Sequence, residues 1–445
     1  MHVLRRISRA GKAAHEGSRV AAGLAVRGFG RTPHTHVGEL VSVAPRTWDG
    51  PSEHPLCVLT PSDGHYMTTF FDVDPISPSG RYLVVTRLPF IWRIPSPGDR
   101  AAVCVIDRVE ETCKTVYVST GWGAQLGANA QWGADDDTIF CNDVIEGVAT
   151  GVRIHVPSLD AQPLNGPIFG LTPDKRYSFS ADLNLINAGI PGYGVPAPWW
   201  HKQRAKDPRS RDEGIWRTDL VSGERSLFLS VHDIVSDLPD QDDFASGTNY
   251  VFNVKVCPRG DKLFAILFAK GVRRLGEWPP QLVTCDLEAA DIRLAMPNRL
   301  WRRGGNHPNW APDGARIVMN LTNGQGVMEF VRFRTDGQEI ETLAPGHRGS
   351  GHPSLDPRQE YLLTDAYVNE GFTDREGTVP VRLIHLPSNT ESTLARAYTN
   401  RLGGPRRIDP HPVWTDNGRT ICFNCMIEGK RQVVVADVSA LASSR

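Results

Sequence analysis

Short apolar stretches recur along the chain, each preceded by a polar turn of the Pro-Asp-Gly kind. The turns are Ser77-Pro-Ser-Gly80, Ala134-Asp-Asp-Asp137, Thr172-Pro-Asp-Lys175, Cys257-Pro-Arg-Gly260, Ala311-Pro-Asp-Gly314, Asp356-Pro-Arg-Gln359 and Thr415-Asp-Asn-Gly418. Directly after them come Tyr82-Leu-Val-Val85, Thr138-Ile-Phe140, Tyr177-Ser-Phe179, Leu263-Phe-Ala-Ile-Leu267, Ile317-Val-Met319, Tyr361-Leu-Leu363 and Thr420-Ile-Cys-Phe423. Pro presets φ at the second position of a turn, and Asp, Asn or Gly tolerate the backbone of the later positions, so each pair reads as a turn feeding a strand. Alternating stretches running into a second polar turn follow several of them, among them Val103-Cys-Val-Ile-Asp107, Ile215-Trp-Arg-Thr-Asp219 and Val379-Pro-Val-Arg-Leu-Ile-His385. Two hairpins per repeat make a four-stranded blade. Seven such repeats arranged radially predict an all-β, seven-bladed β-propeller, an architecture that leaves only short sheet edges. The propeller is expected over residues 41–445, with a loop excursion at about 183–250 that is rich in Pro and Trp and too long for a blade connection.

Composition narrows the possible partners. With 49 basic and 50 acidic residues the formal charge is −1, so no global field draws the chain to nucleic acid or to an anionic membrane, and no apolar run is long enough to span a bilayer. The 8 cysteines are scattered, several within strand-like stretches, and read as reduced core thiols. Cys422 and Cys425 have a zinc-knuckle spacing, but positions i and i+3 of a strand face opposite ways. Residues 1–40 form a basic N-terminal arm or helix, in which 7 Arg or Lys stand against the single acid Glu16 over the first 33 positions. The stretch lacks a long apolar core and a small-residue cleavage site, so a cytoplasmic location is expected over export. A Gly-x-Ser-x-Gly elbow is absent, and little chain follows the last blade, which argues against a propeller peptidase.

The chemistry-bearing pattern appears on counting back from the turns. His307, His352 and His411 each precede the last residue of their turn by 7 positions, and Pro follows each of them. The same offset in the other blades carries Val73, Ala130, Ile168 and Asn253, so the histidines are not a uniform consensus. The offset starts the innermost strand of a blade, and radial repetition would gather the three imidazoles at one end of the channel. Neutral imidazoles so placed suit a divalent cation, with Asp409 on the strand face of His411 to complete the set. The alternative is that each His bonds a neighbouring carbonyl and is structural. Arg406 and Arg407 precede Asp409 and offer forks for a substrate carboxylate, or else surface ion pairs. His65, upstream of the first turn, and His347, before His352, are candidates for a pocket wall. Tyr193, Trp200 and His201 belong to the excursion, where aromatic side chains suit stacking on sugar rings or simply pin the loop.

The stretches Asn306-His-Pro-Asn-Trp-Ala-Pro-Asp-Gly314, Gly351-His-Pro-Ser-Leu-Asp-Pro357 and Asp409-Pro-His-Pro-Val-Trp414 resemble the oligogalacturonate lyases and the related ulvan lyases. A thinner likeness runs through Phe70-Phe-Asp-Val-Asp-Pro-Ile-Ser-Pro-Ser-Gly80 and Gly121-Trp-Gly-Ala-Gln-Leu-Gly127. Those are seven-bladed propellers that cleave uronate-containing saccharides by β-elimination. The resemblance implies an acidic oligosaccharide or polysaccharide as partner and a divalent metal, manganese in the oligogalacturonate lyases, held there by three histidines and a glutamine. His307, His352 and His411 match the recurrent His positions, while Arg406 and Asp409 stand where that family has a Gln and a further His. Those lyases also carry a catalytic His on or just after the second strand of the fourth blade, and Phe264-Ala-Ile-Leu-Phe-Ala-Lys270 has none. β-Elimination needs the uronate carboxylate neutralised, a base for the C5 proton and an acid at the leaving oxygen. Arg407 or a metal would serve the first; Lys270, His65 and Tyr193 are the candidates for the others. A propeller that binds sugar or protein without turnover is the competing expectation.

Overall fold

A computed structural model describes residues 36–50, 52, 54–196, 207–239, 248–270, 280–400 and 402–443. The strands form 7 antiparallel sheets, spanning residues 65–119, 131–163, 170–230, 248–294, 305–342, 354–398 and 413–437 in chain order. Each is one blade of a seven-bladed propeller. All seven turns and the strands after them lie where the sequence places them, joining the first strand of a blade to the second.

The central strands of the blades are buried on both faces, whereas outer strands such as Asp160–Pro163 are exposed. Tyr82–Leu88, for example, is buried at every position after its first residue. Each blade is sandwiched between two neighbours, so its central strands read as continuous apolar runs. The core is accordingly seven inter-blade layers, such as the one in which Leu363, Val381 and Leu383 of the sixth blade meet Ile421, Phe423 and Val434 of the seventh. Cys425 belongs to that layer and Cys422 to the layer on the other side of the same strand, with Leu83 and Val85 of the first blade. The described residues contain 8 cysteines, all free.

The ring closes by a device the turn pattern did not reveal. The seventh blade takes only three strands from the C-terminal part of the chain, and its outer edge is completed by Leu56–Val58, paired with Lys430–Asp437, and Arg46–Thr47. Leu40–Ser42 meanwhile adds a fifth strand to the outer edge of the first blade. Closure therefore depends on side chains such as Leu56, which is 5 % exposed and packs in the layer between blades six and seven. Leu56→Ala should cost about 2–5 kcal/mol in urea denaturation, the usual range for a truncated core leucine; a loss below about 0.5 kcal/mol would mean that the strand is dispensable.

The interval 183–250 is not one excursion. Gly214–Asp219 and Arg225–Ser230 within it are the outer strands of the third blade, and Thr248 already begins the fourth. The residues outside the sheets are divided into a connection before Gly214 and another before Thr248. Each begins with a short capped helix: Leu183–Gly189, where the Asp182 carboxylate accepts from the backbone N–H groups of Asn184 and Leu185, and Val231–Asp237, where Ser230 and Asp233 form a capping box. The alternating stretch Ile215–Asp219 already marks a strand inside this interval, and the structure shows that it divides the expected excursion in two. No helix among the described residues is long and apolar enough to cross a membrane.

Candidate metal and saccharide site

The fifth, sixth and seventh blades bring their histidines together at one end of the channel. The His307 and His352 ring centroids are 4.1 Å apart, and those of His352 and His411 4.3 Å. Backbone geometry contributes to this. His307 has φ = 54° and His411 φ = 45°, a left-handed conformation uncommon for a side chain with a Cβ, and the pairing of Gly305–Trp310 with Arg316–Thr322 slips at His307. A bulge of this kind re-aims a side chain without ending the strand.

The three imidazoles differ in what their nitrogens do. His352 Nδ1 lies 2.8 Å from Asp365 Oδ1. The carboxylate accepts, so Nδ1 carries the proton and Nε2 presents a lone pair, buried and without a partner. This carboxylate–histidine arrangement is the one that commonly orients a metal ligand. His411 is fully buried with neither ring nitrogen bonded. Its Nε2 is 3.7 Å from Asp409 Oδ2, and the ligand atoms of His352, Asp409 and His411 all lie within 4.8 Å of one another. Unpaired buried imidazole nitrogens cost free energy unless something binds them, and two imidazoles with a carboxylate are a donor set that fits a divalent cation.

His307 departs from the expectation of three equivalent ligands. Its Nδ1 is 2.7 Å from Gly351 O, which can only accept, so Nδ1 is protonated and Nε2 accepts from the Tyr367 hydroxyl at 3.0 Å. Both nitrogens are thus engaged beside the donor set. Burial holds all three imidazoles neutral: it pushes His352 down to about 3 and His307 and His411 well below the ordinary histidine value. Burial also raises Asp409, against the pull of Arg407, and lifts Asp365 to about 6.

Arg407 is oriented rather than free. Its Nε donates to Asp409 Oδ2 at 2.6 Å, its Nη2 donates to the Tyr193 hydroxyl at 2.7 Å, and its guanidinium carbon lies 5.4 Å from the centre of the Tyr367 ring. Tyr193 reaches this point because its flanking glycines allow two close approaches. A Cβ on Gly194 would lie 2.1 Å from Leu183 O, and one on Gly123 would lie 2.5 Å from Gly192 O. The Gly-rich stretches around Trp122 and Tyr193 therefore interlock to seat the phenol at the channel mouth.

The other predicted residues go elsewhere. His347 pairs with Glu391 at 2.9 Å and with Asn389 O at 3.1 Å, at the outer edge of the sixth blade, whereas the cluster is at its inner edge. His65 accepts from the backbone N–H of Arg431 at 3.2 Å, along the seam of blades one and seven. Arg406 is exposed on the turn Gly404–Arg406. Lys270 closes the strand Lys262–Lys270, and its side chain, like Trp200, His201 and the arm through residue 35, lies outside the described residues.

Sequence reading missed the supports of the site. Asp365 accepts from the backbone N–H groups of His352 at 2.8 Å and His411 at 3.0 Å as well as from the His352 ring, tying two blades to one carboxylate. It and Tyr367 end the apolar run Tyr361–Thr364, and an acid closing a buried strand was the available signal. Beneath the histidines, Phe70 and Phe71 plug the channel: Phe70 is 4.8 Å from His411 and Phe71 5.0 Å from His352, between ring centroids. Lys255, 4 % exposed, lies 4.2 Å from the centre of the Phe71 ring and pairs with Asp72 at 3.0 Å. Below the plug, toward the blade turns, is a cavity of about 510 Å³ lined by Phe70, Asp72, Lys255 and Lys175.

No protein-family model matches the chain, and no curated protein matches its sequence. Solved structures do match. An oligogalacturonate lyase in complex with manganese superposes with a TM-score of 0.64 at 14 % identity, covering 91 % of this chain and 98 % of that one. The oligogalacturonate lyase of Vibrio parahaemolyticus gives 0.63 at 12 % identity, covering 91 % and 99 %. At that identity the likeness establishes the fold: the chain is a seven-bladed propeller built as the oligogalacturonate lyases are built, with a buried His-Asp-His group at the inner edge of its sixth and seventh blades.

Proposed function

We propose that the protein is a metal-assisted lyase that cleaves uronate-containing saccharides by β-elimination. The observation that carries this reading is the buried group His352, Asp409 and His411, in which His352 Nε2 and both His411 ring nitrogens lack partners, in a fold shared with a manganese-bound lyase. His352, His411 and Asp409 would hold a divalent cation such as Mn²⁺, which when bound would neutralise the substrate carboxylate as a Lewis acid and so acidify C5.

The side chains around the group are suited to the two proton transfers. Tyr367 has its proton committed to His307 Nε2. Its oxygen can take the C5 proton while its own passes to His307 Nε2, which leaves Tyr367 neutral and makes His307 an imidazolium whose charge the Asp365 carboxylate favours. Tyr193 accepts from Arg407, so its own proton is free to reach the leaving oxygen. The C5–H electrons form the C4–C5 double bond as the C4–O bond breaks. The phenols replace the fourth-blade His that the sequence lacks.

The test is ultraviolet absorbance of the conjugated, unsaturated uronate product, measured on manganese-loaded protein with polygalacturonate and other uronate polymers. Tyr367→Phe and Tyr193→Phe should each lower kcat by about 10²–10⁴-fold, the usual worth of a positioned acid or base, with little change in metal content. Folded, metal-loaded protein that produces no double bond from any of these polymers would sink the lyase reading and leave a binding propeller.

A further inference from the structure

Beside the metal group, at the seam of the first and seventh blades, four guanidiniums line one recess: Arg93, Arg406, Arg407 and Arg431. Two are neutralised. Arg93 is paired with Asp99, Nη2 to Oδ1 at 2.8 Å, and Arg407 with Asp409. Arg406 and Arg431 form no ion pair with any described residue.

Arg431 is the unusual one. It is 1 % exposed, it spends Nη1 on Ala124 O at 3.1 Å, and its Nε and Nη2 are buried with no partner. A buried cation with two idle donors is costly unless an anion meets it. The Nε–Nη2 edge is also the edge of a guanidinium that binds a carboxylate through two parallel hydrogen bonds. Burial lowers Arg431 only to about 10, so it remains charged at neutral pH. The rest of the wall is apolar, with Leu88, Phe90 and Trp122, and offers the two idle donors no competing acceptor. The free space is about 10 Å³, room for one carboxylate oxygen between the idle Nε and Nη2 donors, with the rest of the saccharide outside the recess.

We infer that this recess is a carboxylate-binding subsite, in which Arg431 at the floor and Arg406 at the rim hold the carboxylate of a uronate unit next to the one bound at the His-Asp-His group. The assignment rests on the reading of an acidic saccharide as ligand, and it adds the group that would distinguish an acidic from an esterified neighbour. Arg407 links the two places, since it lines the recess and also bonds Asp409 and Tyr193.

The experiment is calorimetric titration of digalacturonate and of its methyl ester into full-length protein with EDTA present, so that no metal contributes. Wild type should bind the acid at least about tenfold more tightly than the ester, the worth of one charge-assisted pair. Arg406→Ala, which alters only an exposed side chain, and Arg431→Lys, which keeps the charge but loses the fork, should each erase most of that preference while leaving ester binding unchanged. Equal affinity of wild type for acid and ester overturns the subsite, as does an acid preference that survives both substitutions. The lyase reading can fail separately: absent turnover with the acid preference intact removes the chemistry and leaves the recess.

Discussion

Adding a manganese salt at about a hundredfold excess over its dissociation constant should stabilise the wild-type protein by about 2.7 kcal/mol, and EDTA should abolish the gain. A ligand that binds only the native state adds stability by mass action, so the difference between the two conditions reports the site and cancels whatever a mutation costs the fold. His352→Ala and His411→Ala each remove a buried nitrogen that has no protein partner, and each should lose most of the EDTA-sensitive increment. His307→Ala should keep it, because both nitrogens of His307 are already bonded, to Gly351 and Tyr367. That mutant should instead lose stability equally with and without EDTA. Melting curves of the four proteins at one scan rate decide the matter: identical EDTA shifts in all four would mean that no ion is held at this group.

Most of the fold was legible because a propeller writes itself in local chemistry. Each blade announces its first hairpin with a turn of fixed residue types, and each central strand is apolar on both faces because a blade lies on either side of it. The ring closure was not legible. Leu56–Val58 is a short apolar stretch without its own turn, and its partner Lys430–Asp437 stands at the far end of the sequence. Pairing across that distance leaves no local trace.

The site divides in the same way. The offset of His307, His352 and His411 came from their place at the start of an innermost strand, and the structure gathers them there. What spacing could not say is which nitrogens are free. That depends on Gly351 O, Asp365 and Tyr367, each of which is at least 13 positions from the histidine it bonds. Spacing leaves Arg407 open as a fork for substrate or as an ion-pair partner, and the pair is what forms, because a guanidinium two residues from Asp409 on a bent turn reaches its oxygen directly. Arg431 carried no signal, because an arginine opening a strand is ordinary; only its burial sets it apart.

Asp72→Ala should be among the most damaging single changes in the channel, costing about 3–5 kcal/mol of stability by leaving the buried Lys255 ammonium without its carboxylate, which itself reaches solvent. Lys255 is 4 % exposed and Asp72 lies 3.0 Å from its ammonium; its other partners are Pro308 O at 3.2 Å and Asn309 Oδ1 at 3.4 Å, neither of them charged. Burial already pushes the Lys255 ammonium down, and Asp72 is the group that opposes this. Without it the lysine must lose its proton or draw water under Phe70 and Phe71, and the plug on which the His352 and His411 rings rest would shift. The double change Asp72→Ala with Lys255→Met should recover most of the loss, because removing both charges removes the unpaired one. Urea midpoints for the two single mutants and the double mutant give the coupling energy. If Asp72→Ala costs no more than an exposed aspartate, below about 0.5 kcal/mol, or if the double mutant is no better than the single one, the pair does not hold the plug. The same proteins carry a functional readout: the EDTA-sensitive stabilisation should fall in Asp72→Ala and return in the double mutant, since the histidines lean on the phenylalanines and not on the charges beneath them.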